Sequence, residues 1–542
     1  LVSPVSRHSM ALLVELFETG VTVACGFFLE HYVLVGLGLL FWLAGRLLEK
    51  LWWKPRRLER ALRSQGLRGT SYRFLVGDLP LLGQKASSKP WPLRCHDNAP
   101  RLAPFLYNIA REHGKTSMFW FGPMPNVVIN DTSVVKEILS GKHEQIVIPK
   151  FEVFGKLLGN GLSSQDGEKW VQHRKIMAPS FHLPELKLKL SAFSSCCQDL
   201  VSRWTNKCIG MNNGGGSCEL DIWPELRNLT GDVLSRVAFG SSYLEGMRVF
   251  HLQEEQAERL MSAIWTTAHP AFLYLPIKNN RRMHQINKEI ETIIRGIIVE
   301  RIQAMNEGGC TRQDLLDMML ESNLSGIEGN DKSSSGMTIE EAIHHLKFLY
   351  FAGMDPSAVL LTWTIVMLSM HPEWQERARE EVLGLFGKNK PTYEDMSRLK
   401  IVTMILREVL RLYPPTAQMK RKTIKEVELG GVRYPAGVMI DIPILLMHHD
   451  IDNWGNDVHE FKPERFVNGV AEASKNPGAF IPFGAGPRIC VGQNFTMLEG
   501  KMAICMILQH FQFELGPSYT HAPHYVVTLH PTHGVHIKLK AI

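Results

Sequence analysis

The stretch that decides the fold is Phe483-Gly484-Ala485-Gly486-Pro487-Arg488-Ile489-Cys490-Val491-Gly492, near the C-terminus. Its spacing, F-x-x-G-x-R-x-C-x-G, is much more specific than a short glycine-rich motif. The chain has nine cysteines, an odd number without repeated C-x-x-C spacing. This pattern argues against a disulfide framework and against a zinc ribbon. A cysteine that carries chemistry in this chain is therefore expected to act alone.

The pattern resembles the haem-binding loop of the cytochromes P450, and the resemblance implies that Cys490 is the axial thiolate ligand of a haem b iron. A thiolate beneath a porphyrin pushes electron density toward the iron and favours O–O cleavage. Gly486 and Gly492 lack a Cβ, so the backbone can pass close to the macrocycle and direct N–H groups at the sulfur. Arg488 can bond to a haem propionate, and Phe483 completes the loop. A helix over residues 494–513 would place its positive end near the sulfur.

Two further motifs support the same resemblance. Glu408 and Arg411 form an E-x-x-R pair on one helical face, and Pro463-Glu464-Arg465-Phe466 follows some fifty residues later. The resemblance implies that Glu408, Arg411 and Arg465 form a buried ion cluster that locks the structure behind the haem. A second E-x-x-R pair, Glu376 and Arg379, lacks this context and is expected on a solvated helix surface.

The run Trp170-Val171-Gln172-His173-Arg174 matches the W-x-x-x-R helix of the family. Its i,i+4 spacing lets the Trp170 indole N–H and the Arg174 guanidinium reach the haem propionates from one face. The paired histidines 344/345 and 448/449 are expected in the core or on the surface rather than on a metal. Adjacent helical residues point about 100° apart, and no set of carboxylates accompanies them.

A long helix is predicted to begin near Thr338, whose hydroxyl has capping-box spacing to Glu341, and to end before Pro372. Its centre reads Ala352-Gly353-Met354-Asp355-Pro356-Ser357. The resemblance implies that Ala352 and Gly353 leave room for O2 and that Asp355 belongs to a proton relay. The family's threonine, which donates toward the distal oxygen, is replaced by Pro356.

Proline offers neither a hydroxyl nor an N–H, so the helix is expected to keep a kink and lose its usual proton donor. Our hypothesis is that Ser357, or an ordered water near Asp355, relays protons with more uncoupling. Two alternatives stay open. The enzyme could be an O2-independent isomerase or dehydratase, or the chain could be a non-catalytic haem-binding pseudoenzyme.

The N-terminal region predicts a membrane anchor. Residues 21–44 are almost wholly apolar, and 24 residues of helix at about 1.5 Å each would cross a hydrocarbon core of about 30 Å. Residues 46–73 hold nine basic and two acidic residues, a net charge of +7. This flank predicts a cytoplasmic C-terminal body and a non-cytoplasmic segment 1–20. A cleaved signal peptide would have a basic start and a shorter apolar core.

The charge of the linker 45–73 exceeds the surplus of +6 for the whole chain, so the remainder is near neutral and gives no reason to expect nucleic acid. Residues 74–542 are predicted to form one catalytic domain, mainly α with small β-sheets. Helices are predicted at 187–207, 253–268, 283–306, 339–370 and 373–386. Strands are predicted at 127–130, 427–434, 438–442, 525–529 and 536–540, and loops at 211–217 and 322–336.

The runs Trp374–Leu383 (WQERAREEVL) and Ile507–His521 (ILQHFQFELGPSYTH) are similar to the plant clan that includes secologanin synthase, gibberellin- and brassinosteroid-modifying enzymes and triterpenoid oxidases. The resemblance implies a monooxygenase of the endoplasmic reticulum membrane. Its electrons would come from NADPH through NADPH–cytochrome P450 reductase. The substrate would be a hydrophobic small molecule, terpenoid-, hormone- or fatty-acid-like, and the substrate class rests on analogy alone.

Overall fold

Helices make up most of the computed structural model, which describes residues 34–82, 91–141, 144–210, 217–240, 243–266, 275–307, 314–328 and 336–542. The first helix, α1, covers residues 34–48 and continues into a π-helical turn, Glu49–Trp53. The others are α2 (Lys54–Arg63), α3 (Leu79–Leu82), α4 (Ala99–Leu102), α5 (Pro104–His113), α6 (Thr132–Leu139), α7 (Glu152–Leu158), α8 (Gly167–Met177), α9 (Leu183–Leu188), α10 (Leu190–Gly210), α11 (Ile222–Ala238), α12 (Tyr243–Thr266), α13 (Lys278–Asn306), α14 (Leu315–Glu328), α15 (Ile339–Met370), α16 (Pro372–Phe386), α17 (Tyr393–Arg398), α18 (Ile401–Leu412), α19 (Ile444–His448), α20 (Ile451–Trp454) and α21 (Gln493–His510).

The strands form small sheets beside this helical body. They are β1 (Arg68–Gly69), β2 (Thr116–Phe121), β3 (Met124–Ile129), β4 (Ile146–Val147), β5 (Ser217–Asp221), β6 (Met419–Thr423), β7 (Val427–Leu429), β8 (Val432–Tyr434), β9 (Met439–Ile442), β10 (Phe511–Leu515), β11 (Pro523–Tyr525), β12 (Leu529–Pro531) and β13 (His536–Ala541). One sheet has the order β1-β2-β3-β9-β6-β4 and another the order β10-β13-β5, with two-stranded pairs β11-β12 and β7-β8.

The long helix α15 is the axis of the main hydrophobic core. It begins with the predicted capping box, in which the Thr338 hydroxyl accepts from the Glu341 N–H (3.2 Å) and the Glu341 carboxylate accepts from the Thr338 N–H (2.9 Å). Most of its side chains are buried against α11, α12, α18 and α21. Within the described residues, α15 alone is long and apolar enough to cross a membrane, and its apolar surface is mostly covered by protein. The mainly α fold with small sheets is confirmed.

The predicted helices are found, but α12 begins ten residues before the predicted position 253 and α13 begins five residues before the predicted position 283. Helix 339–370 has the predicted bounds. The predicted helix 187–207 is divided between α9 and α10, and the predicted helix 494–513 ends three residues earlier, at His510, because β10 begins at Phe511. The hydrophobic period placed these elements correctly, and tertiary contacts fixed their ends.

Two predicted strands and one predicted loop are wrong in detail. The segment 427–434 is a hairpin of β7 and β8 that turns at Gly430 and Gly431, both with positive φ. The segment 525–529 spans the turn between β11 and β12. The predicted loop 322–336 is helical as far as Glu328, where α14 ends, and residues 329–335 lie outside the described part. The predicted loop 211–217 lies outside it too, except for Ser217, which begins β5.

The predicted anchor falls mostly outside the described residues. Residues 1–33 are not described, so the segment 1–20 and most of the span 21–44 stay predictions. The described end of the span belongs to α1, whose apolar side chains are exposed, with Phe41 77% and Leu34 65% accessible. The rest of the described chain does not bury these apolar side chains, and an exposed apolar surface of this kind is typical of a membrane or protein contact.

Candidate functional site

Cys490 lies in a tight loop directly before α21. Its N–H donates to the Phe483 carbonyl oxygen (2.8 Å), which closes the loop, and the Gly492 N–H donates to the sulfur. Burial raises the pKa of the Cys490 thiol, while the Gly492 N–H and the Arg174 charge act in the opposite direction. The side chain is nevertheless accessible to solvent. A desolvated yet accessible sulfur can meet a ligand.

The two glycines of the loop, Gly486 and Gly492, have different structural roles. Gly486 has φ +69, and a Cβ there would lie 1.9 Å from the carbonyl oxygen of Leu139 at the end of α6. Gly492 has an ordinary φ, and a Cβ there would lie 3.9 Å from the Cys490 sulfur. Gly486 is thus required for the packing of the loop against α6, and Gly492 donates its N–H to the sulfur.

The predicted W-x-x-x-R residues on α8 meet the cysteine loop. The Arg174 Nη1 donates to the Ile489 carbonyl oxygen (3.0 Å). Arg488 bonds to the Asp166 carboxylate (2.8 Å), and its guanidinium lies 4.1 Å from the centre of the Trp170 ring. These contacts bring Trp170, Arg174 and Arg488 to one side of Cys490.

A fourth residue of this rim, Arg421 on β6, was not identified from the sequence. Burial, and next the nearby charge of Arg488, lower the Arg421 pKa to about 10. Arg421 belongs to no motif, and it stands in the sequence between two lysines, which do not distinguish it. Only the tertiary structure shows that its charge lies near that of Arg488. Among the described residues, Asp166 is the one carboxylate whose charge acts on Arg421 and Arg488, and no carboxylate acts on Arg174. The resulting excess of two positive charges fits the two propionates of haem b.

The centre of α15 opens onto space within the core. Ala352 and Pro356, four residues apart on one face, are partly exposed although the helix around them is buried. Pro356 has no N–H, so the Ala352 carbonyl loses its usual intrahelical donor. Gly353 has a different contact, since a Cβ there would lie 2.9 Å from Leu234 on α11. The glycine at 353 therefore serves the close approach of α11 and α15.

Asp355 is buried on another side of α15, against the hairpin of β11 and β12. Its carboxylate accepts from the Thr528 hydroxyl, lies 2.8 Å from the His530 Nε2 and lies 3.5 Å from the Arg227 Nε. Burial raises the pKa of Asp355, but His530, Arg227 and Thr528 outweigh it and the net shift is downward. Asp355 is therefore held ionised. No sequence pattern identifies its partners Thr528 and His530, which lie more than 170 residues away.

Ser357 faces α21 instead. Its hydroxyl lies 3.3 Å from the Thr496 hydroxyl and also interacts with the carboxyl group of Glu499. Glu499 is fully buried, and burial raises its pKa to about 8, with the Ser357 bond acting in the opposite direction. Asp355 and Ser357 thus contact different polar groups, and a proton relay through Ser357 would include Glu499.

The predicted ion cluster is assembled behind this site. Arg411 makes two bonds to the Glu408 carboxylate (2.7 and 2.8 Å), and the Arg465 Nε lies 3.5 Å from the same carboxylate. Arg411 also donates to the carbonyl oxygens of His448, Val458 and Glu460. The second E-x-x-R pair was expected on a solvated surface. Glu376 is exposed, as predicted, but Arg379 is buried and donates to the Phe511 carbonyl oxygen (2.9 Å).

The paired histidines are largely in the core. His345 is buried and its Nε2 lies 2.8 Å from the His173 Nδ1, and the His448 Nε2 accepts from the Ile481 N–H (3.1 Å). His344 is half-buried, and His449 is buried. Adjacent members of each pair therefore have different surroundings.

The accessible Cys490, an N–H directed at its sulfur and a rim of arginines with excess positive charge together define a site suited to a thiolate-bound, dianionic macrocycle. This is the arrangement of a haem-thiolate protein. A model of the cytochrome P450 family matches residues 95–534. The chain belongs to the cytochrome P450 family, and this membership implies a haem-thiolate monooxygenase.

Known plant proteins are similar over almost the whole chain. Cytochrome P450 CYP72A616 of Paris polyphylla is 50% identical over 92% of this chain and 96% of that protein. Cytochrome P450 72A15 of Arabidopsis thaliana is 44% identical over 93% of this chain and 97% of that protein. The solved structure of retinoic acid-bound cyanobacterial CYP120A1 superposes with a TM-score of 0.72 at 23% identity, over 88% of this chain and 99% of that one, which shows the shared fold.

Proposed function

We propose that the protein inserts one oxygen atom of O2 into a hydrophobic terpenoid-, hormone- or fatty-acid-like molecule, with electrons from NADPH–cytochrome P450 reductase. The observation that carries the proposal is the accessible Cys490 sulfur beneath a rim of three arginines. Cys490 would bind the iron, and Trp170, Arg174, Arg421 and Arg488 would hold the propionates. Bound haem supplies the chemistry of O2 reduction.

The protein's own residues must supply protons for that reduction. The neighbours of Asp355 lower its pKa, whereas burial raises the pKa of the Glu499 carboxyl, which contacts Ser357, to about 8. We infer that Glu499 and Ser357 supply protons in place of the missing threonine. The Ala352 carbonyl, which lacks an N–H donor because residue 356 is proline, can bind a water on the partly exposed face of α15.

The substitution Pro356→Thr tests this relay, because it restores a hydroxyl at the altered position. The measurement is hydrogen peroxide released per product formed, with purified reductase and NADPH. We expect less peroxide in the variant, and Glu499→Gln in the natural background should release more. Unchanged coupling in both variants would rule out the relay.

Pro356 also supports a second candidate, an enzyme that rearranges or dehydrates its substrate without O2. A non-catalytic haem-binding protein is the third. The reduced-CO difference spectrum tests the ligand: it should be of the thiolate type and be lost in Cys490→His. NADPH consumption dependent on candidate isoprenoids then separates the three. Product without NADPH would favour the isomerase or dehydratase, and a thiolate spectrum without turnover would favour the binding protein.

We propose that the chain is anchored in the endoplasmic reticulum membrane by residues 21–44, with the linker 45–73 and the catalytic domain 74–542 on the cytoplasmic side. The exposed apolar surface of α1 and the basic residues that follow it support this placement. Protease protection of microsomes tests it. An epitope after Ile542 should be digested in intact microsomes, and one within residues 1–20 should be protected.

A further inference from the structure

Three potential metal ligands from separate segments meet outside the haem site. Asp97 precedes α4, His449 directly follows α19, and His459 lies between α20 and the Pro463–Phe466 turn. One ligand atom from each residue lies within 4.8 Å of the others. Two imidazole nitrogens and one carboxylate oxygen thus lie close together.

The tautomer of His449 is fixed in the form that binds metals. Its Nε2 lies 3.1 Å from the Leu412 carbonyl oxygen, which can only accept, so Nε2 carries the proton. The Nδ1 lone pair is then free, and it is buried with no hydrogen-bond partner among the described residues. A histidine that donates one N–H to a carbonyl and keeps its other nitrogen without a partner has the usual form of a metal ligand.

His459 and Asp97 complete the cluster at the surface. The His459 Nδ1 lies 3.8 Å from the Asp97 Oδ1, and it too is buried without a hydrogen-bond partner among the described residues. The side chains of His459 and Asp97 are 36% and 44% exposed, so an ion can enter from solvent. The His449 and His459 ring centres lie 5.7 Å apart.

The positive charge of Arg411 acts on His449 and would repel a cation bound there. That charge is already compensated by the two bonds to Glu408 and by three carbonyl acceptors. Those acceptors belong to His448, Val458 and Glu460, the direct neighbours of the two histidines in the sequence. An ion on the histidines would therefore brace the two segments that hold Arg411.

We propose that Asp97, His449 and His459 form a Zn²⁺ site with a water in the fourth position. Imidazole and carboxylate groups suit Zn²⁺, whereas Mg²⁺ requires mainly oxygen ligands. Tetrahedral coordination at about 2.1 Å needs ligand atoms about 3.4 Å apart, so the 3.8 Å pair has to close only slightly. Adjacent histidines gave no sign of this site, because its other ligands lie far away in the sequence.

The experiment measures Zn²⁺ affinity of the haem-loaded, full-length protein by competition with a chromophoric chelator. His459→Ala and Asp97→Asn change exposed positions, and an unaltered reduced-CO spectrum reports that each variant is folded. His533→Ala, at an exposed histidine elsewhere on the surface, is the matched control. We expect roughly tenfold or greater loss of affinity in the first two variants and none in the third.

Thermal unfolding gives a second readout. At Zn²⁺ a hundredfold above its dissociation constant, the melting temperature should rise by about 2–3 °C in the natural protein and the control, and not in His459→Ala. Mg²⁺ at the same concentration should have no effect. Equal Zn²⁺ affinity in the natural protein and His459→Ala, or an equal loss in His533→Ala, would overturn the proposal.

Discussion

The buried ion pair of Glu408 and Arg411 allows a quantitative test, because the chain contains the same motif with an exposed glutamate, Glu376. Glu408→Gln keeps the shape of the side chain but removes the charge that Arg411 faces at 2.7 and 2.8 Å. Both side chains are 0% exposed. The guanidinium would keep its carbonyl acceptors and lose its only close carboxylate among the described residues.

Leaving one charge of a buried pair without its partner costs about 3–5 kcal/mol. For a domain of about 470 residues, the entropy of unfolding is about 1 kcal/mol per kelvin, so the melting temperature should fall by about 3–5 °C. The matched control is Glu376→Gln, whose carboxylate is 60% exposed and 3.7 Å from Arg379. An ion pair whose carboxylate is solvent-exposed contributes at most about 1 kcal/mol, so the control should shift by less than about 1 °C.

The assay is thermal unfolding of the haem-loaded protein, followed by circular dichroism and by loss of haem absorbance. A double variant, Glu408→Gln with Arg411→Met, removes both charges and should recover part of the loss, since no charge is then left unpaired. Equal shifts for Glu408→Gln and Glu376→Gln would refute the argument that burial makes this pair structural.

Three further predictions follow from other parts of the site. Gly486→Ala should abolish haem binding, because its Cβ would lie 1.9 Å from the Leu139 carbonyl oxygen, whereas Gly431→Ala, at a similar positive φ but in open space, should retain it; the Soret absorbance decides. Arg421→Met should speed haem transfer to apomyoglobin roughly tenfold by removing one of the two excess charges, and the exposed Arg398→Met should not change it; equal rates would remove Arg421 from the propionate site. Glu499 binds its proton more tightly in the folded protein, with a pKa of about 8 against about 4.3 unfolded, so its contribution to stability falls as the pH rises through that window. Glu499→Gln should therefore raise the melting temperature at pH 7–8 and have a vanishing effect near pH 4–5, and a pH-independent difference would contradict the raised pKa.

Local sequence was sufficient for much of the fold. The α15 helix was predicted with its correct ends because the Thr338–Glu341 cap and Pro372 are encoded within a few residues of the termini they define. The sequence of residues 427–434 predicts one strand, because residues typical of strands stand on both sides of the glycine pair. The structure has a hairpin there. Helix α21 ends at His510 rather than at the predicted residue 513, because the pairing of β10 with β13 decides where the helix stops.

The sequence by itself determined the family and the members of the ion cluster, and it predicts Cys490 as the ligand, because each depends on a short, rigid spacing of residue types. Only the tertiary structure decided which charges face each other. It placed Arg421 beside Arg488, separated Asp355 from Ser357 on α15, and brought Asp97 to His449 across more than 350 residues. Such contacts are set by how helices and sheets pack, and packing joins residues whose distance along the chain carries no signal.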